Sequence, residues 1–63
     1  MKKWYYVSFK YSEKVYCTNL CYADSKEQAE EYYQSKYEWV SVRPAADWEV
    51  DTYKKRGMPV KNL

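Results

Sequence analysis

The chain contains no histidine, one glycine, two prolines, one phenylalanine and two cysteines among its 63 residues. Without an imidazole, every catalytic device that needs a group titrating near neutrality on His is absent. One Gly and two Pro exclude collagen-like repeats and loop-rich low-complexity sequence. With 46% hydrophobic residues and a net charge of only +2, the composition is that of a folding chain and not of a disordered tail. No glycine-rich phosphate loop, metal-ligand cluster, nucleophile–base pair or cofactor fingerprint occurs, so the sequence points away from an enzyme and names no cofactor, metal or small-molecule substrate. No run approaches the roughly 18 apolar residues of a membrane span, and Ser8 and Lys10 interrupt the N-terminal apolar stretch too early for a secretory leader.

What the chain has in excess is tyrosine: nine, beside three tryptophans. Ordering a short chain costs about 1.5 kcal/mol per residue. Aromatic side chains offset this efficiently, each burying about 150–250 Å². Tyr does so while keeping its hydroxyl in water. Most of the tyrosines are therefore expected in a core, with a remainder available for contact. Cys17 and Cys21 on one regular strand would lie about 13 Å apart at roughly 3.3 Å per residue, beyond the reach of a disulfide. They read as reduced thiols, and with the other signals indicate a cytoplasmic protein.

Lys3 to Tyr11 and Val15 to Tyr22 alternate and are rich in aromatic and β-branched residues, which predicts two strands in a hairpin. A two-residue loop at Ser12-Glu13 would set Phe9 opposite Tyr16, Val7 opposite Thr18 and Tyr5 opposite Leu20. Tyr5, Val7, Phe9, Tyr16 and Leu20 then share one face. Trp4, Tyr6, Ser8, Lys10, Val15, Cys17, Asn19 and Cys21 share the other. Neither Ser nor Glu favours a primed turn, and a slip of one residue would exchange the faces of the second strand.

Asp24 and Ser25 are N-cap residues with Glu27 and Gln28 three positions after each, and Ala29, Tyr32, Tyr33 and Tyr37 follow at helical spacing. A helix from about Ser25 to Tyr37 is expected, its glutamates forming a solvated face. Glu38 to Arg43 predicts a third strand, with Val40 and Val42 on one side, Trp39, Ser41 and Arg43 on the other, and Pro44 ending it. A second helix, about Asp47 to Arg56, is indicated by Asp47 as cap, Lys54, Lys55 and Arg56 in its last turn, and a Schellman stop at Gly57. The alternation of Trp48, Val50 and Thr52 leaves a strand as the alternative.

The expected fold is a single α+β domain spanning residues 1–63. Its order is β-β-α-β-α, with β-β-α-β-β as the alternative and residues 58–63 as a loose C-terminal tail. The third strand has a connection long enough to pair with the first. The stretch from Tyr22-Ala23-Asp24-Ser25 through Glu30-Glu31 into Trp39-Val40-Ser41-Val42 resembles the hairpin-helix-strand unit of many small proteins of bacteria, their phages and mobile elements. That resemblance covers roughly residues 3–43 and implies a compact intracellular module that works through protein contacts. It assigns no functional residue.

Charge is segregated. Residues 1–22 carry four lysines against one glutamate, residues 23–51 three basic against eight acidic residues, and residues 52–63 four basic residues and no acidic one. Trp4, Tyr6, Lys10, Trp39 and Arg43 are the candidate binding residues, on the face opposite Tyr5, Val7 and Phe9. If both helices pack on the latter side, the former is an exposed aromatic surface suited to a protein partner or to self-association. If the second helix covers it through Trp48 and Val50, it is a second small core. The alternative function is a nucleic-acid-binding module using aromatic stacking planes beside cations, although the small net charge is unlike a dedicated binder.

Overall fold

The computed structural model describes all 63 residues, in the order β1 (Lys3–Ser12), β2 (Val15–Ala23), α1 (Lys26–Gln34), β3 (Val40–Pro44), α2 (Asp47–Lys55) and β4 (Val60–Asn62). The α+β class and the succession β-β-α-β-α are as the sequence indicates. The segment expected as a loose tail instead contributes β4. The four strands form one sheet in the order β3-β1-β2-β4, with β1 antiparallel to both β2 and β3, and β4 parallel to β2. Leu63 packs against the core immediately beyond β4.

The hairpin register differs from the expected one by a single residue over most of its length, and this decides what each face carries. The turn is Glu13-Lys14, with Ser12 opposite Val15, and the register shifts between Lys10 and Ser12. Moving the turn alone would have preserved the faces. The extra residue, Tyr11, forms a bulge in β1 and reverses them. Phe9 is therefore opposite Cys17, Val7 opposite Asn19 and Tyr5 opposite Cys21. Tyr16 and Leu20, expected beside Val7, lie on the other face with Trp4, Tyr6 and Lys10, whereas Cys17, Asn19 and Cys21 join the face of Val7.

That face receives α1. Ser25 caps the helix, its Oγ accepting from the Gln28 N–H at 3.1 Å, while the Asp24 N–H donates to Gln28 Oε1 at 2.6 Å. The two bonds satisfy donors on both sides of the helix start. The helix ends at Gln34, three residues before the expected limit. Its core comprises Tyr5, Val7, Phe9, Cys21, Ala23, Ala29, Tyr33 and Val42, with Tyr32, Tyr37 and Val40 partly buried around it. The Phe9 ring stacks on Tyr37 at 4.3 Å and on Tyr33 at 5.4 Å. The Tyr33 hydroxyl accepts from Asn19 Nδ2 at 3.0 Å, so a buried phenol keeps a partner. Burial pushes the Tyr33 phenol up from its ordinary value, against the opposing effect of that hydrogen bond, and burial likewise raises the Cys21 thiol.

The other face receives α2. This helix spans nearly the expected range, but its N-cap is Ala46 and not Asp47. The cap function falls to Glu49, whose Oε1 accepts from the Ala46 N–H at 3.1 Å. The stop is a Schellman motif: Met58 N–H donates to Tyr53 O and Gly57 N–H to Lys54 O, both at 3.0 Å, with Gly57 at φ +82°. The helices thus lie on opposite sides of the sheet.

Candidate functional site

All five candidate binding residues occupy the α2 face, but α2 divides them. Over one half of the face, Glu49, Val50, Tyr53 and Lys54 cover the sheet. Leu20 and Val50 are buried there. The Tyr6 ring has Tyr53 at 5.3 Å and the Arg43 guanidinium at 4.5 Å. Trp4 is 4.7 Å from Tyr22, its partner across the strands, and 4.4 Å from Lys54 Nζ. Arg43 holds Glu49 in a two-pronged ion pair, Nη1 to Oε1 at 3.0 Å and Nη2 to Oε2 at 2.7 Å. This pair, together with the Ala46 N–H, lowers the Glu49 carboxyl from 4.5 to about 2, while the same pair raises the Arg43 guanidinium. Trp48, expected to help cover the face, is instead 70% exposed. Its neighbour Val50 faces the sheet, because consecutive helical residues point about 100° apart and 48 and 50 cannot share a face.

The three residues Trp4, Tyr6 and Arg43 therefore have intramolecular partners. Their rings and cations are engaged with one another and with α2, so the stacking planes that would suit a single strand are already occupied. Similar pairing recurs elsewhere. Lys36 and Lys61 each lie 5.0 Å from the Tyr32 ring, and Lys2 is 5.9 Å from Tyr22. The two lysines, Lys61 first through a hydrogen bond, draw the Tyr32 phenol below its ordinary value.

Lys10 and Trp39 remain, at the end of the sheet that α2 does not reach. The Lys10 N–H donates to the Trp39 carbonyl at 3.0 Å, and Lys10 lies opposite Tyr16. Trp39, Lys10 and Tyr16 thus form a row across three adjacent chain segments. The Tyr16 and Trp39 rings meet edge to face at 5.5 Å, and the two residues are 62% and 46% exposed. Sequence reasoning assigned Tyr16 to the core. The misassignment follows from the bulge at Tyr11, and the unfavoured turn residues were its only sequence signal.

The surface has three open hollows. One of about 340 Å³ lies between the hairpin tip and the segment after α1, lined chiefly by charged residues including Lys10, Glu13, Lys36 and Glu38. A second, of about 430 Å³, lies beside Trp4, Tyr22 and Ala45. The third, of about 490 Å³, runs along the free part of β2 beside Tyr16, Cys17, Thr18, Asn19 and Pro59. No group of three or more Cys, Asp or Glu side chains is placed to hold a metal ion, both cysteines are free, and no helix is long and apolar enough to cross a membrane. No protein-family model, curated protein or solved structure matches the chain.

Proposed function

We propose that this chain is a small non-enzymatic binding domain that acts through protein contacts, self-association included. The observation that carries the reading is the Trp39–Lys10–Tyr16 row. Two large aromatic residues stay about half or more exposed in a chain that has so little interior to spare. Trp and Tyr are among the residue types that dominate binding energy at protein interfaces, and their mutual edge-to-face contact orders both rings before a partner arrives. Of the candidate residues, Lys10 and Trp39 belong to this contact, whereas Trp4, Tyr6 and Arg43 hold α2 on the sheet. The pairing of those three is what favours a protein partner over a nucleic acid.

The test is capture from the native host with the wild-type chain and with Trp39→Ala and Tyr16→Ala as baits. A partner whose affinity falls about thirtyfold or more in either variant, the size of a loss of about 2 kcal/mol at a hot spot, supports the reading. A partner indifferent to both variants overturns it. So does binding of a labelled single-stranded oligonucleotide that weakens steeply with salt and depends on the same row.

A further inference from the structure

The two edges of the sheet are unequally protected. The outer edge of β3 includes Arg43 and ends in Pro44, both of which blunt strand addition. The other edge is β4 only where β4 reaches, opposite Leu20, Cys21 and Tyr22. Below Pro59 the edge of the sheet is β2 itself. The Leu20 N–H donates to the Pro59 carbonyl and the Tyr22 carbonyl accepts from the Leu63 N–H, so the even-numbered residues of β2 direct their backbone groups away from β1. By strand alternation the N–H and C=O of Tyr16 and Thr18 point the same way, where no strand lies. From Val15 to Ala23 the strand has no charge, no proline and no glycine, none of the devices that normally discourage pairing at an edge.

We infer that this free segment of β2 pairs antiparallel with the same segment of a second copy of the chain, about a twofold axis through Cys17. This rests on the reading of the chain as a protein-contact domain and names one partner and surface for it. The register follows from the geometry. The free window runs from the hairpin turn to Pro59, residues Val15 to Asn19, and Cys17 is its midpoint. Cys17 is also a residue whose backbone groups turn inward to β1, so it sits at a non-hydrogen-bonded position on the outer edge, where a twofold axis places it opposite its own copy. Tyr16 then exchanges two hydrogen bonds with Thr18 of the second copy, and Thr18 two with its Tyr16, giving four bonds. A twofold contact requires a self-complementary surface, and an uncharged strand offers one with no like charges facing each other. Tyr16 meets its counterpart on the diagonal, about 7–8 Å away and within reach of an aromatic ring.

The pairing makes a covalent readout available. At a non-hydrogen-bonded antiparallel pair the Cα atoms are about 4.5 Å apart, within the range a disulfide spans. Treatment with diamide, a diazene, should join the two Cys17 thiols: two protons and two electrons pass to its N=N bond, giving the hydrazine, as the S–S bond forms. The experiment combines sedimentation across a range of concentrations with this cross-linking, on the wild type and on Cys17→Ser, Cys21→Ser, Thr18→Pro and Tyr16→Lys. Thr18→Pro removes an N–H that makes no bond within the chain. Tyr16→Lys sets two cations on the diagonal and is the milder change should the proline variant not fold. Expected are a reversible dimer, a cross-link lost in Cys17→Ser and kept in Cys21→Ser, and dimerisation weakened tenfold or more in Thr18→Pro or Tyr16→Lys while circular dichroism stays unchanged. A wild type that remains monomeric at every concentration overturns the inference while leaving contact with other proteins through Trp39 open to its own test. A dimer that survives both edge variants, or that gives no Cys17 cross-link, overturns it as well, by placing self-association on another surface.

Discussion

Two helices of nine residues each cover the two faces of one sheet, by different physics. Beneath α1 the contact is dry and continuous: Val7, Cys21, Ala23 and Ala29 are wholly buried, and Phe9, Tyr33 and Tyr37 stack above them. Beneath α2 the apolar contribution is chiefly Leu20 and Val50. The remainder is Arg43 on Glu49, Arg43 on Tyr6, Tyr53 on Tyr6 and Lys54 on Trp4. A chain of 63 residues has enough apolar volume for one full core. It covers the second face with amphipathic groups, whose stems and rings exclude water while their charged ends stay near it. Cation–π contacts of this kind contribute about 0.5–1 kcal/mol at exposed sites, so α2 is the more weakly held of the two helices.

The largest effects should come from emptying either apolar centre. Phe9→Ala removes a ring stacked on two tyrosines and is expected to cost about 3–5 kcal/mol. Leu20→Ala, on the other face, should cost about 2–5 kcal/mol, with the larger loss in the former. Chemical denaturation of both variants checks this ordering, and the reverse order would mean that the second face is the principal core. Gly57→Ala should cost about 1–2 kcal/mol in the same measurement. A Cβ there meets no atom within 4 Å, so the penalty is that of a left-handed backbone alone.

A smaller effect with a distinctive pH dependence is expected at Glu49. Its carboxyl titrates at about 2 when folded and at its ordinary 4.5 when unfolded. The stabilisation from its ionised form is therefore complete above pH 4.5 and is lost as the pH falls toward 2. Glu49→Gln should melt below the wild type at pH 7, and the difference in melting temperature should close between pH 4.5 and 2. The smallest change is that of Trp48→Ala. With that ring mostly in solvent, stability should stay within about 0.5 kcal/mol of the wild type. A larger loss would show that Trp48 covers the sheet after all.

The same contrast explains what was legible in the sequence. The start of α1 and its inward residues were legible from the cap at Ser25 and the spacing of Ala29 and Tyr33, because local signals and periodicity suffice there, but the β2 residues beneath it were not. The stop of α2 was legible for the same reason, since Gly57 lies immediately beyond a cationic last turn. The composition of the α2 side was not. It depends on a bulge at Tyr11 that exchanges Tyr16 and Leu20 with Cys17 and Cys21, and a bulge leaves the alternation of each strand intact. The ion pair of Arg43 with Glu49 bridges a strand end and a helix start across Pro44, a geometry that no periodicity encodes. With only three residues, β4 is too short to announce itself by alternation and is held by its pairing with β2 and by Leu63. Of the five candidate site residues, all were assigned to the correct face. Which of them α2 occupies was a tertiary fact.

Residue-resolved amide hydrogen exchange at pH 6 and pH 3, normalised to intrinsic rates, tests the contrast between the faces most directly. The amides of α2 from Val50 to Arg56 should lose protection between the two pH values, because at pH 3 Glu49 takes up a proton once α2 opens although it is still ionised while α2 is closed. Those of β1 and α1 should keep theirs, marking α2 as a separately opening unit. Loss of protection in step across α2, α1 and β1 would contradict the account. It would show that both faces are held by one cooperative core and that the charged contacts beneath α2 carry no separate share of its stability.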